Sequence, residues 1–232
     1  MKGLVLVSGG LDSATCLGLA VSDLGADNVT ALSVYYGQKH IKELKFAEEL
    51  TKYYDVNHKI IDLTFIFNDA KDCSLLKDNN IELPKGAYSD QLKETDRLST
   101  YVPFRNGLIL SCAAAIAASI YPDEEVRLYL GAHADDAAGD AYPDCRPDFA
   151  HHLGHAIDIG TYNKVKCYYP LIDLNKAGVV ELGLKLNVPY HLTWSCYEGE
   201  DEPCGVCGTC IDRQKAFELN DIKDPLLDRK EK

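Results

Sequence analysis

The opening stretch constrains the fold more than any other part of the chain. A short apolar run, Gly3 to Val7, is cut by the adjacent glycines Gly9 and Gly10. A helical pattern follows at once, with Leu17, Leu19, Ala20 and Leu24 apolar and Gly25 as its stop. A brief apolar run ended by a turn signal reads as a buried strand, so the segment is strand, tight turn, helix. The alternation then repeats. Val29 to Tyr36 is rich in β-branched and aromatic residues, a charged amphipathic helix spans about His40 to Tyr54, and Lys59 to Leu63 makes a third short strand. Strands separated by helices pair in parallel, which predicts an α/β protein built on a parallel sheet with helices on both faces.

Residues 64–102 break that rhythm: they are polar and hold no sustained period, which predicts a mobile lid or insertion. Asn106 to Tyr121 is an Ala-rich helix buried on most sides, and Glu125 to Leu130 is a strand ending in GAHADD. A polar loop, AAGDAYPDCRPD, leads into a helix carrying His151, His152 and His155. Asn175 is placed to cap a helix running to about Leu186, and Thr209 to Leu219 is the last helix. The expected organisation is a main domain over 1–190, a small subdomain over 191–220, and a charged, frayed tail over 221–232.

The glycine turn has the properties of an anion site. A helix N-terminus presents unpaired N–H groups and the positive end of its dipole. Gly9 and Gly10 let backbone approach a phosphate closely, and Ser8 and Ser13 add hydroxyl donors. No lysine lies between Ser8 and Cys16, which removes the Walker pattern, and the spacing is wrong for the dinucleotide pattern G-x-G-x-x-G. A plain turn with Asp12 or Ser13 as helix N-cap is the competing reading.

Nine cysteines divide into two groups. Cys16, Cys73, Cys112, Cys145 and Cys167 are scattered, whereas Cys196, Cys204, Cys207 and Cys210 form two overlapping C-x-x-C pairs with a fourth thiol nearby. Four thiolates close a tetrahedron round zinc and leave no open position, so the site reads as structural, with one Zn²⁺ per chain. An iron–sulfur cluster and a redox C-x-x-C pair are the alternatives. His151 and His155 stand one helical turn apart but lack a third ligand, and Cys145 lacks a base that would make it a nucleophile.

The chain carries 36 acidic against 24 basic residues, a net charge of −12, which weighs against long nucleic acids as partners. Its longest apolar stretch, Leu108 to Tyr121, falls short of the ~20 residues that span a bilayer, so no membrane role is expected. The apolar run at Leu4 to Val7 is too short for a signal peptide, which predicts a cytoplasmic protein.

SGGLDS at 8–13 resembles the SGGxDS signature of the PP-loop ATP pyrophosphatases. Together with YGQKH at 36–40, VPFRN at 102–106, GAHADD at 131–136, YPDCRPDF at 142–149 and the Trp194-to-Cys210 cluster with its trailing DRQKAF, it resembles the QueC family of queuosine biosynthesis from Lys2 to about Phe217. That resemblance implies an adenine nucleotide alpha hydrolase-like, Rossmann-like fold with a small zinc-binding C-terminal part. It also implies a ligase that turns 7-carboxy-7-deazaguanine and ammonia into the nitrile with two Mg·ATP, releasing AMP and pyrophosphate, and a homodimer.

By the same resemblance Ser8, Gly9, Gly10, Leu11, Asp12 and Ser13 hold pyrophosphate, with Asp12 near Mg²⁺. Tyr36, Gly37, Gln38 and His40 shape the ATP site. Arg105, Asn106, Tyr142, Asp144, Arg146 and Asp148 are the candidates for the deazaguanine acid. Asp12, Ser13, Arg105, His133, Asp135, Lys164 and Lys176 are the candidates for catalysis. Another PP-loop ligase, a tRNA-thiolating enzyme and a non-catalytic nucleotide-binding zinc module are the rivals.

Overall fold

The computed structural model describes residues 1–39, 42–77, 79, 81–82, 98–137, 142–199 and 201–228. Strands β1 (Lys2–Leu6), β2 (Val29–Tyr35), β3 (Asn57–Asp62), β4 (Val126–Tyr129) and β5 (Val165–Tyr168) form one parallel sheet in the order β3-β2-β1-β4-β5. β1 lies at the centre, registered Leu4 to Thr30 on one side and Leu4 to Leu128 on the other.

Alternation along β1 sorts the two cores, because successive side chains of a strand point to opposite faces. Val5 and Val7 pack on one face against α1 (Leu11–Leu24), α2 (Lys42–Tyr54), α6 (Lys176–Lys185) and α7 (Gly208–Glu218). Leu4 and Leu6 pack on the other against α3 (Arg105–Ile120) and α5 (Pro147–Gly160). The short α4 (Ala134–Ala137) follows β4. The chain leaves β1 towards β2 on one side while β4 joins on the other. Their carboxyl ends therefore part at this switch, where open α/β sheets form a ligand crevice.

Several expectations shift. β5 was not expected: at the sheet edge Val165 to Tyr168 alternate buried and exposed side chains and present no apolar run, and pairing with β4 fixes them. The helix starts at Leu11 with Gly10 as N-cap, not at Asp12 or Ser13, and no side chain caps it. The expected lid is partly packed structure. Phe67, Cys73, Leu75, Leu76 and Val102 form a buried cluster, and Gln38 pairs with Leu76 in an isolated antiparallel bridge. Residues 78, 80 and 83–97 of that segment lie outside the described residues.

The tail is docked as far as it is described: Arg213 donates to the Asp224 carboxylate at 2.6 and 2.9 Å, both side chains are buried, and Leu226 is buried beside them. A buried guanidinium needs a carboxylate partner, and that requirement, invisible in a charged run of sequence, holds 221–228 in place. The cysteine region has its own small apolar cluster, yet α7 sends Ala216 and Phe217 into the main core.

Candidate active site

A cavity of about 300 Å³ opens at the carboxyl ends of β1, β2 and β4. Ser8, Gly10, Leu11, Asp12 and Ser13 form its floor. The loop is held by its own hydroxyls. Ser8 N–H donates to Ser13 Oγ at 3.2 Å, Gly10 N–H to Ser8 Oγ at 3.3 Å, and Ser13 Oγ donates to the Gly10 carbonyl at 3.0 Å. With no side chain capping α1, its first-turn N–H groups remain for an anion. The two glycines divide the work. Gly10 faces the cavity, whereas Gly9, at φ +90°, turns into α2, where a Cβ would collide with the Glu43 carbonyl and stand 2.9 Å from Ala47 N.

The lysine missing from the loop arrives from α6. Lys176 Nζ lies 2.8 and 2.7 Å from the two Asp12 carboxylate oxygens and 3.1 Å from His133 Nε2. Burial works to raise the Asp12 carboxyl pKa, but Lys176 and then His133 outweigh it and hold the group below the usual range. Asn175 caps α6 by accepting from Gly178 N–H at 2.8 Å. Asp135 accepts the Lys176 backbone N–H at 2.7 Å, so it fixes the helix end that carries the ammonium.

Tyr36, Gln38 and Arg105 form the wall under β2 and α3. Arg105 donates to the Tyr36 hydroxyl at 3.1 Å and lies over its ring, while Gln38 accepts the Tyr36 N–H at 2.8 Å. Gly37, at φ +87°, turns the chain between them, and His40 lies outside the described residues. Glu43, in the first turn of α2, also lines this wall, and burial pushes its carboxyl up to about 7 against the pull of Arg105. Glu43 was not a candidate from sequence, because a glutamate on a charged amphipathic helix reads as a solvated face.

The candidates for the acid separate. Asn106, Tyr142 and Cys145 line the cavity with Arg105. Tyr142 and Thr100 share a hydroxyl–hydroxyl hydrogen bond of 2.7 Å. Asp144 is buried and accepts the Asn106 backbone N–H at 2.8 Å, capping α3. Arg146 and Asp148 pair with each other at 2.9 Å with side chains 45% and 57% exposed, away from the cavity lining. Lys164 is not brought to the site. It immediately precedes β5, and its carbonyl accepts from Val126 at the start of β4, which puts it at the opposite end of the parallel sheet.

The four cysteine sulfurs all lie within 4.8 Å of one another. Backbone N–H groups of Gly199 and Cys204 donate to Cys196 Sγ at 3.0 and 3.2 Å, and Cys207 N–H to Cys204 Sγ at 3.4 Å, which favours thiolates. Tetrahedral zinc at about 2.3 Å from each sulfur separates sulfurs by about 3.8 Å, so the donor set fits such an ion. The knuckle is also a wall of the cavity: Trp194, Ser195, Tyr197, Thr209 and Asp212 line it. Trp194 N–H donates to the Gly9 carbonyl at 2.9 Å, its ring packs on Phe46 of α2, and Lys42 lies over it. Sequence reasoning read this region only as metal ligands. Trp194, beside the first cysteine, was the available signal.

Residues 2–221 match the family model described as queuosine biosynthesis protein QueC. The 7-cyano-7-deazaguanine synthase of Archaeoglobus fulgidus is 41% identical over 232 residues, covering 100% of this chain and 92% of that protein. The enzyme of the same name from Thermoplasma volcanium is 44% identical over 231 residues, covering 97% and 90%. Among solved structures, an NMN synthetase from Francisella tularensis is similar in fold, with a TM-score of 0.50 at 16% identity over 96% of this chain and 78% of that one.

Proposed function

This chain belongs to the QueC family, and from that premise we propose that it converts 7-carboxy-7-deazaguanine and ammonia to 7-cyano-7-deazaguanine with two ATP. A carboxylate is a poor acyl donor because oxide is a poor leaving group. Transfer of an adenylyl group to the carboxylate oxygen breaks the α–β bond of ATP and supplies AMP as leaving group, and ammonia displaces it to give the amide. A second adenylation, on the amide oxygen, lets AMP depart as the nitrile forms.

The observation that carries this reading is the convergence of the SGGLDS floor, Lys176 and Arg105 on one cavity at the sheet's switch point. The uncapped N-terminus of α1 and the Ser8 and Ser13 hydroxyls suit the pyrophosphate that leaves in both steps. Lys176 stands where negative charge builds on the departing phosphates, held there by Asp12, His133 and Asp135. Mg²⁺ enters with the ATP phosphates, and Asp12 is the loop carboxylate that would meet it. Arg105, Asn106 and Tyr142 are the side chains best placed for the deazaguanine acid.

Zinc on Cys196, Cys204, Cys207 and Cys210 supplies structure alone, so residues 191–220 serve as a stiff wall for the catalytic part, 1–190. The family resemblance implies a cytoplasmic, homodimeric enzyme of small molecules, and the net charge of −12 weighs against long nucleic acids as partners. No helix among the described residues is long and apolar enough to cross a membrane. The comparisons do not favour a tRNA-thiolating enzyme or a non-catalytic module.

Mass spectrometry of a reaction with 7-carboxy-7-deazaguanine, ammonium and Mg·ATP tests the proposal. Nitrile with AMP and pyrophosphate is expected. ADP as the nucleotide product, or no turnover, overturns it. Elemental analysis of the purified protein decides zinc, expected at about one per chain.

A further inference from the structure

The proposed reaction leaves one demand unassigned: the disposal of protons from nitrogen. When ammonia attacks the acyl adenylate, the C–N bond forms, the C–O bond to AMP breaks, and the new ammonium-like nitrogen must lose a proton to become the amide. After the amide oxygen attacks the second ATP, the nitrogen carries two hydrogens and a positive charge. Both hydrogens leave as the C–O bond breaks, AMP departs and the nitrile forms. Three protons therefore leave ammonia's nitrogen, and neither adenylation removes one.

Among the described residues four carboxylates line the cavity: Asp12, Glu43, Asp135 and Asp212. Asp12 is bound by Lys176 and held ionised below the usual range, which makes it a weak proton acceptor. Asp135 is occupied by the first N–H of α6. Asp212 stands on the knuckle wall. Glu43 differs. It sits in the first turn of α2, on the wall shared with Arg105 and Tyr36, and its carboxylate has no hydrogen bond or ion pair with any described residue.

We propose that Glu43 is a catalytic base of this site, taking protons from the reacting nitrogen after ammonia attacks and again as the nitrile forms. Its environment suits that role. Burial raises the carboxyl to about 7, with Arg105 from α3 opposing the rise, and among the described residues Tyr36, just past β2, also faces it. A proton acceptor works best when its affinity lies near the operating pH, since it must both take a proton and give it up to solvent between steps. The backbone of the same residue abuts Gly9, so α2 holds the carboxylate in fixed register with the loop that grips the departing pyrophosphate.

The proposal rests on the reaction proposed above, and Glu43→Gln separates the two. Adenylation of the acid needs no proton removed from nitrogen, so acid-dependent ATP–pyrophosphate exchange should stay within about 3-fold of wild type. Nitrile formation from ammonium at pH 7 should fall by about 100-fold or more. The wild-type nitrile rate should show an ionisation near pH 7 that vanishes in Glu43→Gln, and Glu43→Asp should recover part of the rate. Unchanged nitrile formation in Glu43→Gln overturns the proposal. So does a parallel fall in exchange and nitrile, which would assign Glu43 to nucleotide or acid positioning. Failure of the wild-type protein to exchange pyrophosphate when given the acid defeats the reaction itself, and the wild type alone reads that result.

Discussion

The phosphate loop, residues 8–13, and the polar segment 142–148 were both expected to contact substrates, and the structure treats them differently. The hydroxyl hydrogen bonds of Ser8 and Ser13 that shape the loop join residues at most five apart in sequence, while the Trp194 backbone N–H and the Lys176 ammonium reach Gly9 and Asp12 from distant parts of the chain. In the second segment the polar side chains separate: Tyr142 stays on the cavity wall bonded to Thr100, Asp144 turns to the start of α3, and Arg146 and Asp148 pair with each other outside the lining. A strand–turn–helix unit carries its geometry with it, because the strand, the glycines and the helix dipole are all local. A run of polar residues carries only its chemistry, and distant partners decide which way each side chain points.

Five changes would break or sharpen that contrast. The largest effect is expected from Cys207→Ser, which removes one of the four clustered thiols of the knuckle that holds Trp194 against Gly9. Metal content should fall, and thermal unfolding should drop by about 6–12 °C, corresponding to roughly 3 kcal/mol. If the metal-depleted protein keeps wild-type pyrophosphate exchange, the loop is self-sufficient and the contrast is sharper than drawn. Gly9→Ala comes next. Left-handed backbone at φ +90° and a collision with the Glu43 carbonyl should together cost about 2–4 kcal/mol, with exchange down about 100-fold. Denaturant unfolding with exchange assays would show it, and a fully active Gly9→Ala variant would contradict the packing role.

Asp144→Ala should destabilise the fold by about 1–2 kcal/mol through the lost α3 cap while the protein still exchanges pyrophosphate. A selective rise in KM for the acid, without destabilisation, would return Asp144 to the substrate site.

The fourth prediction concerns pH. Glu43 has its folded carboxyl raised from 4.5 to about 7, so the folded state holds the proton longer than the unfolded chain does. Stability from this group is complete below about 4.5 and is lost as pH rises through about 7. Glu43→Gln should therefore be more stable than wild type by about 1 kcal/mol at pH 8, discounted for the group's solvent access, and equal to it near pH 4. Chemical denaturation at both values checks the sign.

The smallest effect belongs to Arg146→Ala. An exposed pair contributes about 0–1 kcal/mol, and neither stability nor KM for the acid should move by more than that implies. A tenfold rise in KM would mean the segment turns its guanidinium into the cavity when substrate binds.

Much of the fold was legible. Three strands and two helices followed from β1 to β3 with their boundaries within a few residues, because buried apolar runs and amphipathic periods are local signals. The fourth strand and the Asn175 cap were equally readable. β5 was not, since this edge strand exposes Lys166 and Tyr168 and lacks the buried apolar run that marks β4. In the site, the loop and the cysteine set were candidates already from local sequence, the loop by its signature and the cysteines by their spacing, whereas Glu43 and Trp194 were not among the candidates. Each became part of the cavity only through packing: Glu43 through the way α2 seats on Gly9, and Trp194 through its hydrogen bond to the same residue.

By itself the sequence determined the chemistry on offer: a loop with the properties of a phosphate site and no lysine of its own, four thiols spaced for one ion, and a parallel sheet to carry them. Tertiary structure decided which groups answer that offer. It brought Lys176 to Asp12 across 164 residues of chain and turned Glu43 into the cavity wall. It left Lys164 at the far end of the sheet. Local motifs are set by torsion and period within a few residues. The placement of a charge in a cavity is set by which helices pack together, and that is a property of the whole core.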